Sequence, residues 1–178
     1  ATLHEPDNAL PYWQLSEGPK IYLWQRFPAL DLFSQCQLCL TTVGANTAQL
    51  GALSTPMIVL LATQRLGLLH LADGWPGLVA RVPGVGAIAR KVINPIIVNT
   101  LKKSGKKFAW PNIWAKREVV PELFGPITAS EVAELALDYL EHPEKLEHMR
   151  TTLRTLRGPA GAAEKMADLV LETVDYPK

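Results

Sequence analysis

Two apolar, strand-like runs on either side of a single helix-length segment constrain this chain most. Leu38-Cys39-Leu40-Thr41-Thr42-Val43 reads as a strand that runs into the turn Gly44-Ala45-Asn46-Thr47. A helix is predicted from about Thr47 to Leu53, Pro56 stops it, and Met57 to Leu61 forms the next apolar strand. Upstream, Ile21-Tyr22-Leu23-Trp24 carries a β-branched and two aromatic residues and is predicted as a further buried strand. A short helix follows from Pro28 to Cys36, with the proline in its first turn and Leu30, Leu32 and Phe33 on its apolar face. Strand, helix, strand, helix, strand with short connections argues for parallel βαβ units. The predicted fold class is therefore α/β, a Rossmann-like parallel sheet with flanking helices and a helical C-terminal end.

The rest of the chain divides around that unit. Residues 1–20 are polar, contain Pro6, Pro11 and Pro19, and are predicted to be a tail or connector, leaving 21–178 as the folded domain. From Leu66 to Leu101, glycines and prolines interrupt apolar and basic stretches, which predicts two or three short amphipathic helices. Phe108-Ala109-Trp110 is predicted as a brief strand ending at Pro111. Beyond it, Thr128-Ala129-Ser130-Glu131 is a capping box, and Val132, Leu135, Ala136, Tyr139 and Leu140 follow helical spacing. Pro143 opens another helix carrying Leu146, Met149, Leu153 and Leu156, and a last helix is predicted from about Ala162 to Val174.

With 178 residues, 48% apolar and 20% charged, the chain is sized for one domain with a sizeable core. No secretory signal and no apolar run long enough to span a bilayer is visible. The net charge of +1 hides an asymmetry: residues 64–107 carry eight Lys and Arg against the single acid Asp73. From Phe108 onward twelve acids face eight bases. Such a split points to a local anionic partner.

Five segments could carry chemistry. Cys36-Gln37-Leu38-Cys39 has redox spacing, but it straddles a helix end and a strand start and lacks metal-ligand company, so buried structural cysteines are the preferred reading. Gly84-Val85-Gly86-Ala87-Ile88-Ala89 mimics a dinucleotide fingerprint without the preceding strand or the later acid, and reads as helix-packing glycines. The Gly44 turn is different, because it follows a strand and opens a helix. Such a turn aims backbone N–H groups and a helix dipole at one point, which suits an anion, although a plain βα turn has the same pattern. In the run Trp110 to Leu123, Asn112, Arg117 and Glu118 combine an amide, a guanidinium and a carboxylate able to engage a base edge, a phosphate and ribose hydroxyls. The plain alternative is a surface turn with solvated charges. Finally, Arg81, Arg90, Lys91, Lys102, Lys103, Lys106 and Lys107 alternate with apolar residues in a basic amphipathic insertion at about 64–107. That is what an anionic membrane surface requires, and a solvated basic face on core helices is its alternative. No helix-turn-helix, zinc or aromatic stacking motif accompanies these bases, so nucleic acid is not an expected partner.

The run Leu38–Val59, with its Gly44 turn and Thr55-Pro56-Met57-Ile58-Val59, resembles lipid-A-disaccharide synthase. So do Pro111-Asn112 followed by Arg117-Glu118-Val119-Val120-Pro121-Glu122-Leu123, and the end with Pro143-Glu144-Lys145 and Gly161-Ala162-Ala163. The resemblance covers about Ile21 to Val174 and is nearest to the divergent, cyanobacterial-type members of that family. It implies the C-terminal, donor-binding part of a GT-B glycosyltransferase, which transfers an acylated glucosamine from UDP to a lipid-linked sugar acceptor and needs no metal or other cofactor. It also implies a cytoplasmic protein lying peripherally on the inner (plasma) membrane. In that reading Gly44, Asn46, Thr47 and Gln49 line the donor phosphates and sugar, and Asn112, Arg117 and Glu118 hold the nucleotide. The chain departs from the family pattern, a Ser-Gly-Thr followed by a Glu, at Val43, Ala45 and Gln49; Gln can hydrogen-bond a hydroxyl but carries no charge. The resemblance further implies that the acceptor and base domain is absent from this chain, so the chain alone is expected to show no turnover. An incomplete sheet leaves an edge that a second copy would cover, which makes a homo-oligomer an expected assembly. The alternative is a non-catalytic relative that binds membrane lipid or a partner protein.

Overall fold

A computed structural model describes residues 1–62, 104–159 and 161–174. The predicted helices between Leu66 and Leu101 lie outside the described residues. The chain divides into two compact units, Ala1–Leu32 and Phe33–Lys178.

The first unit corrects the reading of residues 1–20 as a connector. It holds an antiparallel meander of β1 (Thr2–His4), β2 (Tyr12–Gln14) and β3 (Lys20–Tyr22). His4 pairs with Tyr12, and Tyr12 with Tyr22, along one face. The rings follow that register: His4 stacks on Tyr12 at 5.0 Å, Tyr22 tilts against Tyr12 at 5.8 Å, and the Lys20 ammonium stands 4.4 Å over the Tyr12 ring. Cross-strand aromatic and cation–π pairs of this kind hold a small sheet that has little core. Ile21 and Tyr22 therefore belong to a meander and are exposed, rather than forming a buried strand of the parallel sheet. The prolines that suggested a tail fall between the strands, and strands of three residues are too short to show a period.

Helix α1 (Leu30–Gln35) spans the boundary between the units. The second unit contains β4 (Cys39–Thr42), α2 (Ala45–Leu53), β5 (Met57–Ala62), α3 (Trp110–Ala115) and β6 (Glu122–Gly125), followed by α4 (Ala129–Glu141), α5 (Pro143–Arg157) and α6 (Ala162–Val174). The strands form a parallel sheet in the order β4-β5-β6, with Thr41 level with Val59 and Val59 level with Glu122. The α/β class is as predicted, but the strand expected just before Pro111 is not there. Phe108-Ala109-Trp110 is no strand: Ala109 caps α3, and Pro111 sits in the first turn, where its missing N–H costs nothing. The strand comes twelve residues after Trp110, at Glu122.

The central strand sets the core. Met57, Ile58 and Val59 are at most 1% exposed. Met57 and Val59 join Leu50 of α2, Ala109, Val120, and Met149 and Leu153 of α5 in one cluster. Leu146, Met149 and Leu153 recur at helical spacing and are buried, so α5 turns one stripe into the core. The Met149 sulfur accepts from the Met57 N–H at 3.4 Å. Thr128 and Glu131 form the predicted capping box that starts α4. α4 and α5 share His142 as cap, and Lys145 clamps back onto Asp138 at 2.7 Å. That hydrogen bond holds the Asp138 carboxyl below its ordinary value.

Candidate functional site

Two clusters predicted from the sequence sit on either side of a short joint. The first is the turn after β4. Gly44 adopts φ +154°, a conformation that L side chains rarely adopt, and a Cβ there would stand 2.9 Å from Asn46 Oδ1. Only glycine fits without displacing Asn46. Its carbonyl accepts from both the Thr47 N–H at 3.1 Å and the Thr47 hydroxyl at 2.8 Å. The Asn46 amide donates to the Thr41 hydroxyl at the end of β4. Among the described residues no side chain caps α2, and its first turn holds no acid to answer the dipole there. Gln49 stands exposed one turn further along. Thr47 is fully buried, however, and its hydroxyl accepts from the Trp110 N–H at 3.2 Å. Thr47 thus ties α2 to α3 and does not line an open surface.

The second cluster is a knot around Asn112, which is 0% exposed. Its Oδ1 accepts from the Val119 N–H at 2.6 Å and the Val120 N–H at 2.9 Å. Its Nδ2 donates to the Val120 carbonyl at 2.8 Å and to Glu122 Oε1 at 2.6 Å. The Glu122 carboxylate also accepts from the backbone N–H groups of Phe108 and Ala109 at 3.0–3.2 Å, answering the amino end of α3 with an internal anion. Both ends of the Asn112 amide are thus spent inside the chain. Its expected role of reading a nucleotide edge gives way to holding the α3–β6 loop shut.

What the knot leaves outside is the tip of that loop. Lys116 turns the chain with φ +53°, and Arg117 and Glu118 are both exposed. Glu118 forms an ion pair with Lys107 at 3.4 Å, while Arg117 makes no hydrogen bond or ion pair among the described residues. The structure therefore brings Gly44, Asn46 and Thr47 together with Trp110 at the start of α3, and carries Arg117 and Glu118 on the loop beyond its end. Lys106 is exposed and Lys107 is committed to Glu118. Arg81, Arg90, Lys91, Lys102 and Lys103, and the glycines 84 and 86, lie outside the described residues.

A feature the sequence did not announce adjoins this tip. Val119, Tyr139, Glu144, Lys145, His148 and Met149 line a cavity of about 300 Å³. The Tyr139 phenol is pushed above its ordinary value, first by burial and then by the charge of Glu118. The sequence pattern marks Tyr139 only as part of an apolar helix face. Cys36 and Cys39 are half-buried thiols outside any disulfide, and burial, followed by the adjacent Cys36, pushes the Cys39 thiol up to about 12. A thiol so strongly protonated is a poor nucleophile, which suits a structural role. Among the described residues, no group of three or more His, Cys, Asp or Glu is placed to hold a metal ion, and no helix is long and apolar enough to cross a membrane.

Comparison with protein-family models, with curated proteins and with solved structures finds no match for this chain.

Proposed function

We propose that this chain is the donor-binding part of a GT-B-type glycosyltransferase, taking a UDP-sugar and serving transfer to a lipid-linked sugar acceptor at a membrane surface. The observation that carries this reading is the uncapped turn at Gly44, placed at the carboxyl end of a parallel strand. Ligands of open α/β sheets bind at that edge, and an uncapped helix start attracts phosphate. In this reading the backbone around Gly44 meets the diphosphate, and Asn46 and Gln49 reach the sugar. Arg117 offsets phosphate charge, and Glu118 accepts from the ribose hydroxyls. Thr47 and Asn112 act as positioning residues, one fixing the turn and the other the loop. The cavity beside Glu118 gives a base an apolar wall of Val119 and Met149. By stabilising negative charge on the departing UDP, the turn and Arg117 would assist cleavage of the sugar–phosphate bond.

A calorimetric titration with UDP tests this reading. Binding by the parent chain that falls about tenfold or more in Glu118→Ala supports it, since a lost charged hydrogen bond is worth roughly 1.5–3 kcal/mol. Absence of UDP binding by the parent rejects it in favour of the alternative, a non-catalytic relative that binds lipid or protein. The exposed apolar surfaces of the second unit give that alternative its own support.

A further inference from the structure

We propose that the outward face of α3 docks onto an anionic lipid surface. Trp110, Ile113 and Trp114 fall at i, i+3 and i+4, share that face, and are 43%, 41% and 45% exposed. The helix cannot turn to bury them. Pro111 and Asn112 are locked inside, the Trp110 N–H is held by Thr47, and the Pro111 and Trp114 rings stand 3.1 Å and 3.5 Å from where a Cβ on Gly51 would be, so Trp114 rests one ring edge on α2 and exposes the rest. Three large apolar side chains are therefore presented outward by a rigid support, the kind of patch that marks an interaction surface.

The surrounding charge selects the partner. Residues 104–118 contain Lys106, Lys107, Lys116 and Arg117 against one acid, Glu118, and Lys107 already holds that acid at 3.4 Å. Lys106, Lys116 and Arg117 are all exposed. Tryptophan prefers the headgroup level of a bilayer, where its ring is buried and its N–H stays wet, and nearby cations add attraction to anionic headgroups. The exposed face of α6 shows the contrast. Met166, Leu169, Val170 and Leu171 are 61–67% exposed there, but the polar side carries Glu164, Asp168 and Glu172 against Lys165 alone, so an anionic surface would repel it. A single-stranded nucleic acid also seeks aromatics beside cations, yet the Trp110 and Trp114 rings are tilted by 36° with centroids 6.1 Å apart, and Ile113 contributes no stacking face to a base.

This inference rests on the membrane-surface part of the proposed function and is independent of its nucleotide part. The test is co-sedimentation of the whole chain with phosphatidylcholine vesicles, with and without one quarter phosphatidylglycerol, alongside tryptophan quenching by brominated acyl chains. The expected result is binding to the anionic vesicles with quenching, weak binding to the neutral ones, and loss of both signals in Trp110→Ala/Trp114→Ala and in Ile113→Glu. Lys106→Gln, an exposed change that leaves the fold alone, should weaken binding roughly fivefold. Parent chain that ignores anionic vesicles, Ile113→Glu that binds like the parent, or preference for a single-stranded oligonucleotide over vesicles overturns the proposal. UDP titration of Ile113→Glu without vesicles reads the nucleotide site separately, so each claim can fail alone.

Discussion

The loop around Asn112 and the turn at Gly44 meet at one hydrogen bond, from the Trp110 N–H to the Thr47 hydroxyl, yet they are built in opposite ways. At Asn112 both ends of the side-chain amide have partners within the chain, and the amino end of α3 already holds the Glu122 carboxylate. At Gly44 the helix start has no side-chain cap, and its shape is enforced by a backbone conformation that only glycine tolerates. A residue type suited to ligand binding is thus not evidence of a ligand site. Saturated polar groups make a positioning element, and unsaturated ones make a place where something can bind.

The comparison breaks most readily at Asn112. Asn112→Ala should strand the Val119 and Val120 N–H groups, the Val120 carbonyl and part of the Glu122 carboxylate, at a cost of roughly 3 kcal/mol or more in urea denaturation. Next in size is Gly44→Ala. The strained backbone and the clash with Asn46 should cost about 1–3 kcal/mol by the same measurement, and UDP affinity should fall with it. Thr47→Val keeps the volume but removes the acceptor of the Trp110 N–H, and a loss of about 1–2 kcal/mol is expected. The smallest effect on stability belongs to Glu118→Ala. Its exposed ion pair should contribute less than about 1 kcal/mol to folding, even as UDP affinity drops. An Asn112 variant with unaltered stability, or a Glu118 variant as unstable as Asn112→Ala, would erase the distinction between knot and tip.

Much of the frame was legible in the sequence. The β4–α2–β5 unit shows because apolar strands, a glycine turn and Pro56 give three independent signals in one stretch. The Thr128 capping box and the Leu146, Met149, Leu153 stripe show for a similar reason, since each depends on spacing within one helix. Strand β6 was hidden: its four residues follow a proline and begin with Glu122, whose charge makes the segment read as surface. That charge is spent on two backbone N–H groups and Asn112, a long-range arrangement that no local pattern reveals. The meander of the first unit was hidden because strands of three residues leave no periodicity. At the site, residue types singled out Gly44, Asn46, Gln49, Arg117 and Glu118, of which Gln49, Arg117 and Glu118 are exposed and Gly44 and Asn46 half-buried. They could not tell that Asn112 and Thr47 face inward, since an amide or a hydroxyl serves a ligand and a backbone equally well.

Native-state hydrogen exchange along residues 112–122 tests the division between knot and tip most directly. The Val119 and Val120 amides, both donated to Asn112 Oδ1, should exchange slowly and only through a large opening, while the Lys116, Arg117 and Glu118 amides exchange fast through local motion. Equal, rapid exchange across the whole loop would contradict the account, because Asn112 would then be free to meet a ligand rather than committed to holding the chain.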